Sequence, residues 1–127
     1  MYTVAVTREF IARHYLVGGD WGSENQPHAH HYVLEFSIEA AELDRHGYLV
    51  DIMDIEAALN QVVNDYRDAL LNDKPEFSGL NPSLEHFSRI ICERMMAQLQ
   101  IPGQGAVQVK LWENAQCWAA YRQSFGG

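Results

Sequence analysis

Apolar and polar residues alternate from the start of the chain. Tyr2, Val4, Val6, Phe10, Ala12 and His14 fall on one face of an extended segment spanning residues 2 to 14, broken only by Arg8, because side chains at i and i+2 of a strand point the same way. Residues 29 to 42 repeat the pattern. With the residue before them they place His28, His30, Tyr32, Leu34, Phe36 and Ile38 on one face and Ala29, His31, Val33, Glu35, Ser37 and Glu39 on the other. The intervening loop carries the turn-forming Gly18-Gly19-Asp20, Gly22-Ser23 and Pro27. The period then changes. From a candidate cap at Asp54, the apolar residues Ile55, Ala58, Leu59, Val62, Val63, Tyr66 and Leu70 recur at helical spacing, and Asn72-Asp73-Lys74-Pro75 ends that helix. Asn81-Pro82-Ser83 opens a second helix, with Leu84, Phe87, Ile91, Met95 and Leu99 along one side and Pro102-Gly103 at its end. Met95 and Met96 suit core filling. Alternation returns over residues 106 to 113 and 117 to 123, a hairpin around Asn114-Ala115. The order strand, strand, helix, helix, strand, strand predicts one α+β domain over residues 1 to 127.

Composition narrows the function classes. A chain of 127 residues, 47% hydrophobic and 20% charged, has the make-up of a soluble domain with a substantial core. No apolar run approaches the roughly 20 residues of a membrane span. A formal net charge of -8 argues against nucleic acid as a partner, because phosphate backbones require a concentrated basic surface. The first residues lack the basic stretch and apolar block of a signal peptide. Together with two cysteines, Cys92 and Cys117, expected to be reduced and buried in structural roles, this gives a cytoplasmic expectation.

The candidate chemistry lies where the first two strands meet. His14 ends one apolar row and His28 and His30 begin the next, so in an antiparallel pair the three imidazoles converge at one end of a sheet. Three neutral imidazoles with one open position describe a catalytic zinc site. A His-x-His pair by itself more often marks packed or solvated strand residues; the third histidine on the matching face favours the metal. His31 points to the other face, and His46 and His86 show no partner. Glu113 follows Val107, Val109 and Leu111 on one face, a carboxylate at the end of an apolar row.

Phe10-Ile11-Ala12-Arg13-His14, Glu24-Asn25-Gln26-Pro27-His28-Ala29-His30, Asp51-Ile52, Leu71-Asn72-Asp73, Asn81-Pro82-Ser83-Leu84-Glu85 and Glu113 occur in an order that resembles the 6-pyruvoyl-tetrahydropterin synthase and 6-carboxytetrahydropterin synthase family. The resemblance spans almost the whole chain. It implies a tunnelling fold, or T-fold: a four-stranded antiparallel sheet with two helices on one face, in the order ββααββ, closed into an oligomeric barrel as trimers or hexamers. It also implies zinc held by His14, His28 and His30, and 7,8-dihydroneopterin triphosphate as the small-molecule substrate. Glu113 would bind the pterin ring, whose N–H donors match a carboxylate, though it also suits an exposed strand-end acid. Glu85 stands at a second pterin-contact position and equally suits a capping box or the dipole of the second helix.

The departures from the family pattern are specific. Glu24 stands where the usual enzymes carry a catalytic cysteine, and Arg67-Asp68 stands where they carry an Asp-His pair. A carboxylate beside a metal-bound substrate can act as general base, which assigns Glu24 that role, with Asp68 as the remaining relay carboxylate. Arg67 is a candidate for the substrate's triphosphate, or an ordinary solvated helix-end arginine; Arg13 and Lys110 are weaker phosphate candidates. A branch of the family with glutamate at this place releases 6-hydroxymethyl-dihydropterin, and the chain resembles it at Glu24 but not at Arg67-Asp68. The alternatives are action on another pterin or purine-like substrate and a non-catalytic protein stabilised by zinc.

Overall fold

The computed structural model describes residues 1–127. Strands β1 (Tyr2–His14) and β2 (His28–Ala40) pair antiparallel along their whole length, helices α1 (Ile52–Tyr66) and α2 (Leu84–Gln98) follow, and strands β3 (Gly105–Trp112) and β4 (Trp118–Phe125) close the sheet. The sheet order is β1-β2-β3-β4, antiparallel throughout. Both helices cover one face, α1 against β1 and α2 against β3 and β4. This is the ββααββ arrangement that the alternating and helical periods predict.

The helix-facing side of the sheet supplies the core. Leu34, Phe36, Ile38, Val107, Val109 and Leu111 are fully buried against Leu59, Val62, Phe87, Ile91 and Met95. Phe87 is the hub of an aromatic group, with ring centroids 5.3 Å from Tyr32, 5.1 Å from Tyr66, 5.5 Å from Phe77 and 6.0 Å from Phe10. Edge-to-face packing of this kind resists shear between layers, and it lies directly beneath the end of the sheet that carries the histidines.

Several element boundaries differ from the sequence expectation. Asp51, not Asp54, caps α1, its carboxylate accepting the Met53 N–H at 2.9 Å; both acids suit a helix start, and periodicity does not choose between them. α1 stops at Tyr66, so Leu70 lies outside it. Asp68 takes φ 60, the one non-glycine residue in the left-handed region, and the chain turns so that Leu70 forms an isolated parallel bridge with Arg13. Tertiary pairing with β1 thereby overrides a helical period. β2 is shifted to His28–Ala40, and Cys117 falls in the β3–β4 turn, where it is exposed rather than buried. Cys92 is buried as expected, and burial pushes its thiol up to about 11, with Glu93 adding to the effect.

Candidate metal centre

Register brings the three histidines together. His14 is the direct cross-strand partner of His28, and Ala12 is the partner of His30. Because a methyl group stands opposite His30, its ring can lean toward the other two. The ring centroids are 4.6 Å apart for His14 and His28, 4.8 Å for His14 and His30, and 5.0 Å for His28 and His30. One nitrogen from each ring lies within 4.8 Å of the others.

The backbone selects which nitrogens face inward. His14 Nδ1 lies 3.0 Å from the Pro82 carbonyl oxygen and His28 Nδ1 lies 2.9 Å from that of Gln26. A carbonyl oxygen only accepts, so each Nδ1 carries the proton and donates it, which leaves Nε2 with a free lone pair. Fixing the tautomer through the remote nitrogen is how metal-binding histidines are oriented. Tyr32 Oη lies 3.2 Å from the same His14 Nδ1. Burial holds the Tyr32 phenol well above its ordinary range, with the charge of Glu113 raising it further, so it stays protonated. His14 is pulled down to about 4, chiefly by burial and then by repulsion from His30 and His28, against the opposing bond to Pro82. It is therefore neutral at pH 7, the form that binds a metal. Three imidazoles whose donors lie within 4.8 Å of one another, two of them with Nε2 left free by backbone bonds, fit a zinc ion.

A pH prediction follows for the metal-free protein. Unfolded His14 takes a proton near the ordinary histidine value of 6.5, whereas folded His14 resists it until about 4. The unfolded state binds more protons in that window, so stability falls as pH drops from 6.5 toward 4 and the loss levels off below. Thermal melting of metal-free protein across this range checks it, and His14→Gln is expected to flatten the slope relative to the parent chain.

The segment after His14 is stapled by three asparagines, of which Asn72 and Asn81 carry helix-end and helix-start signals in the sequence. Asn72 pairs with Tyr15 in the manner of a strand, its Oδ1 accepting the Tyr15 N–H at 2.9 Å and its Nδ2 donating to the Tyr15 carbonyl at 3.0 Å. Asn81 Oδ1 accepts the Val17 N–H at 3.1 Å, and Asn25 Nδ2 donates to the Leu16 carbonyl at 3.1 Å. Glu24 sits in a short 3-10 turn, Gly22–Asn25, whose position is fixed because the Leu16 N–H donates to the Glu24 carbonyl at 2.9 Å. Its side chain is exposed. The start of α2 is tied to the same place: Ser83 caps it, Pro82 holds His14, and His86, apparently partnerless in sequence, donates from Nδ1 to the Asn81 carbonyl at 2.7 Å.

The other predicted residues divide. Glu113 lies at the side of the histidine cluster, with its Oε2 3.9 Å from His30 Nε2. Glu85 is exposed at the second position of α2, and the capping-box position three residues after Ser83 is His86; this leaves Glu85 beside the helix dipole and removes the capping-box reading. Arg67 and Asp68 are exposed and share a cavity of about 240 Å³ with Glu9, Ile11 and His31 of the outer sheet face. The Asp68 N–H is donated to the Ile11 carbonyl at 2.6 Å, and His31 pairs with Glu9 at 3.2 Å. Arg13 is held along the backbone to Ala69, and Lys110 lies 4.0 Å from the Trp118 ring and 5.0 Å from that of Trp112.

Fold and site together define a T-fold protein with a three-histidine donor set. The family model for 6-pyruvoyl tetrahydropterin synthase matches residues 3–124, and the chain belongs to that family. It is 31% identical over 97 residues to 6-pyruvoyl tetrahydrobiopterin synthase of Dictyostelium discoideum, covering 75% of this chain and 70% of that one. It is 26% identical over 120 residues, 94% of this chain and 95% of the other, to an Archaeoglobus fulgidus protein provisionally named 6-carboxy-5,6,7,8-tetrahydropterin synthase. Among solved structures, 6-pyruvoyl tetrahydropterin synthase of Caenorhabditis elegans superposes with a TM-score of 0.82 at 18% identity, over 96% of this chain and 95% of that one. A Plasmodium vivax 6-pyruvoyltetrahydropterin synthase, described as a mutant with a catalytic glutamate changed to alanine, superposes at 0.77 with 10% identity, over 98% and 100% of the two chains.

Proposed function

We propose that the chain is a zinc-dependent pterin lyase that acts on the side chain of 7,8-dihydroneopterin triphosphate, with Glu24 as general base. The observation that carries the reading is the cluster of three imidazoles, two of them oriented by backbone carbonyls, with Glu113 3.9 Å from the third, His30, in a chain of the pterin synthase family. His14, His28 and His30 would hold the ion. Zinc, when bound, supplies Lewis acidity that polarises the oxygens of the substrate side chain. Glu113 anchors the ring through charge-assisted hydrogen bonds to its N–H groups, which aims the side chain at the histidines. Glu24, on a turn fastened to the strand that ends in His14, takes the side-chain proton. A family member described with a catalytic glutamate supports giving a carboxylate that task.

Arg67 and Asp68 face away from their own histidines, around the β1 edge. In a homo-oligomer built edge to edge, as a trimer or hexamer, they serve a neighbour's pocket, Arg67 toward the triphosphate and Asp68 as a second proton-transfer carboxylate. Exposed Ile11 and Trp118, 48% and 52% accessible, and the outer edges of β4 and of β1 before Ile11, which no other strand of the sheet pairs, support such an assembly, since open strand edges pair readily. No helix is long and apolar enough to cross a membrane.

Mass spectrometry of the products from zinc-loaded protein and 7,8-dihydroneopterin triphosphate tests the reading. With neither thiol nor Asp-His relay at the family positions, 6-hydroxymethyl-dihydropterin is expected. A 6-carboxy or 6-pyruvoyl product would transfer the proton steps to another group, and no product despite bound pterin would overturn the substrate.

A further inference from the structure

We propose that Glu113 is a fourth protein donor to the metal that the histidines hold, and that an incoming pterin ring displaces it. This rests on the pterin reading above and adds a step to it: the ring anchor is occupied on the metal until the ring arrives.

The placement comes from an interrupted strand. β3 pairs with β2 from Gly105↔Ala40 to Trp112↔Val33 and no further, so residues 28 to 32 of β2, which include His28 and His30, have β1 on one side and an open edge on the other. Glu113 is the first residue past that last pair. Alternation from Leu111 turns its side chain to the helix-facing side of the sheet, and its N–H is held by the Cys117 carbonyl at 3.2 Å. The carboxylate therefore reaches across the gap that β3 leaves unfilled.

Distance and chemistry then favour coordination. Donors around one zinc ion, bound at about 2.0–2.1 Å, lie about 3.3 Å from one another. Glu113 Oε2 is already 3.9 Å from His30 Nε2, one of the three histidine donors that lie within 4.8 Å of one another. His30 is its one ion-pair partner, and its side chain is 31% accessible. Closing that separation from 3.9 Å to about 3.3 Å brings Oε2 to donor spacing from His30. Three neutral imidazoles leave a bound divalent ion's charge uncompensated, and a carboxylate at this range offsets part of it. With Oε2 on the metal, the carboxylate cannot offer both oxygens to the donor fork of a pterin ring, and the two-point contact is lost. Metal and ring therefore compete for Glu113, and linkage makes the competition reciprocal.

Cobalt-substituted full-length protein tests this, with 6-methylpterin as probe because it carries the ring but no side-chain hydroxyl able to reach the metal. Glu113→Ala is expected to change the visible d–d spectrum of the cobalt protein and to weaken zinc binding about tenfold or more in chelator competition. Titrating the unaltered protein with 6-methylpterin, which requires no variant, is expected to shift its spectrum toward that of Glu113→Ala. Zinc-free protein is expected to bind 6-methylpterin at least about fivefold more tightly than zinc-loaded protein. Ring binding detected by pterin fluorescence with an unchanged cobalt spectrum would overturn the inference, as would a Glu113→Ala protein with the parent's spectrum and affinity; both leave the histidine site and the pterin reading intact. Absence of stoichiometric cobalt in the parent protein would remove the site and this inference together.

Discussion

His28→Ala is expected to abolish stoichiometric zinc and reduce turnover to background while leaving the fold intact. His28 opens β2 and is half-buried, so its loss leaves no cavity in the core formed by Leu34, Phe36 and Phe87. What is lost is one of three donors. If a metal-binding free energy of about 10–16 kcal/mol is shared among the ligands, removing one weakens binding by about 10²–10³-fold or more. The Nδ1 bond to the Gln26 carbonyl disappears with it, but it orients only His28. Elemental analysis of the purified variant checks the prediction, and circular dichroism separates metal loss from unfolding. A full complement of zinc in His28→Ala would show that the ion is held elsewhere.

Glu24→Gln is expected to separate binding from chemistry. The Glu24 contact with the rest of the fold is through its backbone, which accepts the Leu16 N–H, and its side chain is exposed, so the amide should leave the turn undisturbed. Zinc content and pterin affinity should match the parent, while kcat falls by about 10²–10⁴, the usual contribution of a positioned general base. Steady-state kinetics with a parallel binding measurement reads the split. Loss of kcat and of ring affinity together would assign Glu24 to substrate positioning. Unchanged turnover would sink its assignment as base.

The contrast between these two residues shows what a sequence of this kind carries. The period of two placed His14, His28 and His30 on a common face and made their convergence legible, because strand register follows from alternation once one face is buried. Glu113 was legible for the same reason, as the residue after Val107, Val109 and Leu111. The supports of the site were not. Pro82 holds His14 through a carbonyl that every residue possesses, and no residue type advertises a backbone acceptor. Asn25, Asn72 and Asn81 carry ordinary turn and cap signals, yet their side chains act as surrogate strand partners for residues 15 to 17. The end of α1 is not legible because Leu70 continues the helical period, whereas the left-handed turn at Asp68 and pairing with Arg13 redirect the chain. Long-range pairing leaves no trace in a local period. The same turn sets Arg67 and Asp68 beside Glu9 and His31 rather than beside the histidine triad.

The most direct test of the central claim is the turnover of 7,8-dihydroneopterin triphosphate by protein stripped of metal, measured before and after addition of one equivalent of zinc. Negligible product before and restored turnover after, with no restoration in His28→Ala, is the predicted result. Equal rates with and without metal would contradict a metal-centred role for His14, His28 and His30.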